Sequence, residues 1–119
     1  MKVLQLTKAI APGSQNDFNN SGKFVPIAWH QRDTTKQTLI AIQNLADRYA
    51  TDTDVVTAIE LLNEPGNWAL DISQVKQFYY EGWGNVRNYN SNIAVVIHDA
   101  FLDIQVILKW IYELPQLYQ

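Results

Sequence analysis

The amino-acid sequence predicts an α/β protein built on a parallel βαβαβ unit, and three observations predict it. Two segments with helical periodicity alternate with three short apolar, β-branched runs. Each crossover is long enough to bring the chain back parallel to the preceding strand, right-handed by default. The middle run, "VVTAIELL", is almost continuously apolar, as expected of a strand covered on both faces.

Taken in order, residues 2–6 read as a short strand, and "APGSQNDFNNSG" follows as a long polar loop in which Pro12, Gly13, Asn19, Asn20 and Gly22 favour turns. The first helix is expected from about 35 to 50, with a capping box of Thr34 and Gln37 and an apolar stripe of Leu39, Ile42, Leu45, Ala46 and Tyr49. The second strand is the run at 55–62. A second helix is expected from about 72 to 88, capped by Asp71 with Gln74 and presenting Val75, Phe78, Tyr79, Trp83 and Val86 on one face. "IAVVIHD" returns to buried-strand character. In the tail, Ile104, Ile107, Leu108 and Ile111 recur at helical spacing.

Composition limits the partners. A chain of 119 residues, 47% hydrophobic, supports one modest domain, and neither an internal repeat nor a low-complexity linker divides it. A net charge of −3 with scattered Lys and Arg offers no basic stripe for phosphates, so nucleic acid and anionic membrane are not expected partners. Absence of cysteine excludes disulfides and thiolate metal sites. No run approaches the roughly 18 apolar residues of a membrane span. The first residues, "MKVLQLTKAIAPG", do not read as a signal peptide.

Ligands of parallel α/β units bind beyond the carboxyl ends of the strands. Three polar clusters belong there: the loop after the first strand, Asn63 and Glu64 after the second, and His98 and Asp99 after the third. Apolar surroundings at such a position favour the neutral form of a carboxyl group, which can then give a proton to a leaving oxygen. Asn63 is placed to bond a sugar hydroxyl, and glycoside hydrolysis needs a second carboxylate, for which Asp99 is the evident choice on this face. His98 reads as a hydrogen-bonded histidine orienting its neighbours, and His30 as a surface residue. Glu60 alternates with core positions and reads as a structural ion-pair member rather than a group lining the interior. Trp68, Trp83 and Trp110 read as packing residues, with Trp68, beside the site loop, the one placed to face a ligand. The two histidines have no metal-site spacing.

Four segments in order, "APGSQNDFNNSG", "IELLNEP", "VKQFYYEGWGNVR" and "AVVIHDAF", resemble the fungal exo-β-1,3-glucanases of glycoside hydrolase family 5. The resemblance covers residues 2–101 and implies the third to fifth strands of a (β/α)8 barrel, with residues 102–119 a divergent helical tail. It implies Glu64 as the acid/base of a retaining β-1,3-glucan hydrolase and Asn63 as the residue bonding the sugar 2-hydroxyl. It implies Phe18 as an aromatic flanking the glucose pocket, Asn20 as a nearby polar contact, and Asp99 and Phe101 as substrate-side residues. A β-glucan partner, no cofactor, and an extracellular or cell-wall location are implied in the same way.

The chain also departs from that pattern. "QLTKAIAPG" stands where the family has Asp-Leu-His-Gly before Ala-Pro-Gly, so the active-site histidine is missing. The family's nucleophile is a glutamate on the seventh strand, and a barrel of this type takes about 250 residues. The expectation is therefore a truncated catalytic domain, inactive alone, whose open strand edges favour self-association. A non-catalytic carbohydrate-binding or structural role stays open.

Overall fold

A computed structural model describes residues 4–7, 11–18, 26–31 and 33–113. Strand β1 (Leu4–Thr7) leads through helix α1 (Thr34–Tyr49) to β2 (Val56–Glu60), and helix α2 (Ile72–Arg87) leads from there to β3 (Ala94–Val96); α3 (Ile104–Glu113) follows. The strands are all parallel and lie in consecutive order, β1-β2-β3. Ile59 stands beside Leu6 on one side and Val95 on the other, and Glu60 beside Thr7 and Val96.

The two crossover helices pack side by side on one face of the sheet. Asn85 Nδ2 donates to the Leu39 carbonyl across that seam at 3.4 Å, and Asn90 Nδ2 donates to the carbonyl of Ala50 at 2.6 Å. Beneath it lies one apolar core: Ile42 and Ala46 of α1, Val56 and Ile59 of β2, Leu61 and Leu62 beyond it, and Val75, Phe78, Tyr79 and Val86 of α2. Sealing such side chains from water stabilises the fold by about 1.5–3 kcal/mol each for the larger ones. Trp29, fully buried, fills the entry to α1, with its ring edge-on to Phe78 at 4.9 Å and Nε1 donating to Thr38 Oγ1 at 3.0 Å. That bond is necessary because an indole N–H without a partner is costly inside a core.

The expected elements form, with differences at their ends. Among the described residues strand β1 covers Leu4–Thr7, one residue past the expected end at Leu6, and residues 2 and 3 of the expected strand lie outside the described residues. Strand β2 gives up its ladder after Glu60, although Leu61 N still donates to Val96 O at 3.1 Å. The Thr34–Gln37 capping box does not form. Asp33 is the N-cap and makes no side-chain cap bond, while the Thr34 hydroxyl turns back to the carbonyls of Trp29 and Gln31. A loop carbonyl within reach competes successfully with the helix N–H groups. At α2 the cap is as expected for Asp71, whose carboxylate accepts from Ser73 N at 2.9 Å and Ser73 Oγ at 2.7 Å.

Helix α3 is rotated from its expected face. Ile107 and Trp110 are buried, whereas Ile104, Leu108 and Ile111 are exposed. The larger Trp110 ring packs against Tyr79 at 6.4 Å, and Lys76 pairs with Glu113, so the aromatic contact and the ion pair set the orientation together. His30 also departs from the surface reading: it is half-buried, and its Nδ1 is sealed without a hydrogen-bond partner among the described residues.

Candidate functional site

The three loops that leave the carboxyl ends of the strands converge. After β1 the chain turns at Gly13, whose φ of +87° is available without strain only to glycine, and an added Cβ would stand 2.8 Å from the Ala28 backbone. The turn delivers Ser14, Gln15 and Asn16 to the interior, an uncommon place for consecutive polar loop residues. Their hydrogen bonds account for it. Ser14 Oγ accepts from Asp17 N at 3.2 Å, Asn16 Oδ1 accepts from Phe18 N at 3.0 Å, and Gln15 Oε1 accepts from Ala11 N at 3.3 Å.

Gln15 also joins this loop to the one after β2. Its Nε2 donates to Asn63 O at 2.9 Å, and its own carbonyl accepts from Gly66 N at 2.9 Å. Between those two points stand Glu64 and Pro65. Glu64 is half-buried and holds φ +48°, the left-handed region that side-chain-bearing residues rarely enter. Pro65 brings no N–H, so β2 cannot continue through it.

The third loop is organised by its own side chains. His98 Nδ1 accepts from Ala100 N at 3.0 Å, which places the ring proton of a neutral imidazole on Nε2. Asp99 Oδ1 accepts from Phe101 N at 2.8 Å and lies 3.3 Å from His98 Nδ1. The Tyr79 hydroxyl, buried in α2, donates to His98 O at 2.9 Å and fixes this loop to the core. Burial, and after it the negative charges of Glu60 and Asp99, hold the Tyr79 phenol well above its ordinary pKa.

Over the converging loops lie three rings. Phe18, from the first loop, is 5.4 Å from Trp68 of the second, and Trp68 is 5.3 Å from Phe101 of the third. Phe18 and Phe101 are 6.5 Å apart, edge to face. The rings are 42%, 52% and 47% exposed, so they pack on one another while still presenting apolar surface to solvent. Asn67 Nδ2 donates to Phe101 O at 3.0 Å and ties the second and third loops together beneath them. Gly66 makes room for the indole: a Cβ there would stand 2.6 Å from Trp68 Cζ2.

Five of the six residues expected at the site, Glu64, Asn63, Phe18, Asp99 and Phe101, therefore lie on the three converging loops; Asn20 lies outside the described residues. Asp99 is 52% exposed at its side chain, and its Oδ1 is turned back onto its own loop. Gln15 is not among the expected residues, reading only as part of a polar loop, and Trp68, which reads as packing but as the tryptophan placed to face a ligand, joins Phe18 and Phe101 while staying exposed. A groove of about 570 Å³ bounded by Thr51, Thr57, Asn90 and Ile93 lies at the opposite, amino ends of β2 and β3.

Fold and site together define a parallel α/β unit carrying a carboxylate, an amide and an aromatic cluster at its strand ends. Comparison with known proteins makes that class specific. Over 93 residues, 78% of the chain, it is 66% identical to a glucan 1,3-beta-glucosidase of Blumeria graminis, of which it covers 22%. It is 44% identical over 80% of its length to a probable glucan 1,3-beta-glucosidase A of Emericella nidulans, and 41% identical over 80% to glucan 1,3-beta-glucosidase 1 of Schizosaccharomyces pombe, covering 24% of each. Over these spans the chain is similar to fungal glucan 1,3-beta-glucosidases, and it covers less than a quarter of the length of these relatives. No protein-family model matches it.

Proposed function

We propose that this chain carries the acid/base side of a retaining β-1,3-glucan hydrolase site, with Glu64 as the acid/base and the Phe18–Trp68–Phe101 cluster as the apolar surface for a glucose ring. The observation that carries this reading is the convergence of those rings on the loop that holds Glu64 in its strained conformation. The consecutive parallel order, with both crossover helices on one face, supports the finer reading of a (β/α)8 barrel segment, since an open doubly wound sheet reverses its order and covers both faces.

In that chemistry the Glu64 carboxyl gives its proton to the glycosidic oxygen as the bond to the anomeric carbon breaks, and a nucleophilic carboxylate takes that carbon. The Glu64 carboxylate then removes a proton from the water that releases the sugar. Asn63 bonds the 2-hydroxyl, a contact that strengthens as the oxocarbenium-like transition state develops. Asp99 holds Phe101 in place through its bond to the backbone, and the nucleophile, on the family resemblance, belongs to a later strand.

Two assays test the reading on the purified chain. In titration calorimetry with laminari-oligosaccharides, Phe18→Ala or Phe101→Ala should weaken binding by up to about tenfold, the value of one aromatic contact. Any hydrolysis of laminarin or an aryl β-glucoside should disappear in Glu64→Gln, while binding survives. No heat with any β-glucan oligomer would refute the sugar-site assignment. Binding that survives Glu64→Gln with no hydrolysis in either protein would favour the non-catalytic carbohydrate-binding reading, which the three exposed rings also support.

A further inference from the structure

We propose that Gln15 is a positioning residue for Glu64, an inference that rests on the acid/base reading above. Gln15 is completely buried and meets the second loop at two points. Its side-chain amide bonds the carbonyl of the residue before Glu64, and its backbone carbonyl bonds the N–H two residues after it, each at 2.9 Å. Glu64 and Pro65 lie between these points. A left-handed conformation is unfavourable for a non-glycine residue, so Glu64 keeps φ +48° because its surroundings impose it. Pro65 has no N–H with which to help.

A second bond of the Gln15 side-chain amide fixes which way the amide is turned. Oε1 accepts from Ala11 N, which leaves Nε2, with its protons, facing the Asn63 carbonyl. An amide offers an acceptor at one side and a donor at the other, which neither a thioether nor a carboxylate does. The polar pair thus fixes the turn, and the turn fixes where the carboxyl group stands. Displacement by about 1 Å at such a group is enough to cost 10²-fold in rate.

The test uses the chain itself and needs no substrate. A residue with positive φ brings its own N–H and Hα close together, so Glu64 should give a strong intraresidue cross-peak in nuclear Overhauser spectra. In Gln15→Met, which keeps the volume but loses both polar groups, that cross-peak should fall to the level of its negative-φ neighbours, and exchange of the Gly66 amide should quicken at least tenfold. Gln15→Glu should do the same at alkaline pH, once its carboxyl, whose pKa burial raises, is ionised, because a carboxylate cannot donate to Asn63 O. On acidification its protonated carboxyl regains a donor, and the wild-type signals should return. A space-filling role would leave the isosteric glutamate variant like wild type at every pH, alkaline included, at which it stays folded. Protection of Ile42 and Val86 reports whether each variant keeps its fold, and if Gln15→Met does not, the pH titration of Gln15→Glu decides. Unchanged Glu64 and Gly66 signals, or no recovery at low pH in a folded Gln15→Glu, would overturn the proposal. Absence of glucan binding or hydrolysis would count against the acid/base reading alone and leave these signals interpretable.

Discussion

Replacing Tyr79 by phenylalanine should lower stability at neutral pH and remove an alkaline sensitivity. The hydroxyl is buried and donates to His98 O at 2.9 Å, so its loss should cost about 1 kcal/mol at pH 7. Burial, followed by the charges of Glu60 and Asp99, raises the phenol above its ordinary value of 10.0. A group whose folded pKa is raised contributes fully below the unfolded pKa and loses that contribution as pH rises toward the folded one. With the folded phenol still protonated, the unfolded chain gains about 1.4 kcal/mol by ionising at pH 11. Wild type and Tyr79→Phe should therefore approach equal stability near that pH. Urea unfolding of both proteins at intervals from pH 7 to 11 measures the gap, and the other tyrosines cancel in the difference. A gap that stays constant across the range would refute the assignment.

Gly66→Ala should expel the Trp68 indole from its place between Phe18 and Phe101, because the new methyl would stand 2.6 Å from the ring; loss of cross-peaks between Trp68 and Phe18 protons, with the core unchanged, is the expected readout. The hydrogen bond from Lys76, and after it the charges of Lys76 and Lys109, hold the Glu113 carboxyl below its ordinary 4.5, so its contribution is present above that value and is lost as pH falls through the lower, folded one. Helix α3 should consequently loosen before α1 and α2 on acidification, seen as faster exchange of the Ile107 amide, and Lys76→Met should loosen it already at neutral pH.

Much of the framework was legible because hydrophobic periodicity reports burial directly. Ile42 and Ala46 at one helical spacing, Val75, Phe78, Tyr79 and Val86 at another, and the apolar run ending at Leu62 all mark surfaces that the core covers. Where one polar group chooses between two partners, pattern gives no answer. Thr34 has the residue type and spacing of a cap, yet the neighbouring loop carbonyls take its hydroxyl. Helix α3 has apolar residues on more than one side, so its period fixes a helix but not the face that turns inward. That Glu64 stands in a loop beyond a strand's carboxyl end was legible because Asn-Glu-Pro follows a buried apolar run. Gln15 was not, since nothing local tells a buried amide from a solvated one; its partners Asn63 and Gly66 are about fifty residues away.

Backbone strain in this fold has a definite distribution. Among the described residues, every non-glycine position with positive φ lies in a loop beyond a strand's carboxyl end: Ser14 and Asp17 after β1, Glu64 after β2, Ala100 and Phe101 after β3. Glycine would relieve the strain at each of them, but at positions 64 and 101 glycine would also remove the carboxyl group and the ring. The requirement at those two positions is for a side chain, held in a direction that relaxed backbone does not give. The surrounding bonds supply what the local conformation lacks: Gln15 on either side of Glu64, Asp99 on Phe101 N, and Asn67 on Phe101 O. Gln15 and Asp99 stand in segments tied to the core, through Gly13 against Ala28 and Tyr79 against His98. The stability of the sheet and its paired helices is thus what allows the strand ends to keep conformations they would not adopt alone, and those conformations bring the carboxyl group and the aromatic surface to one place.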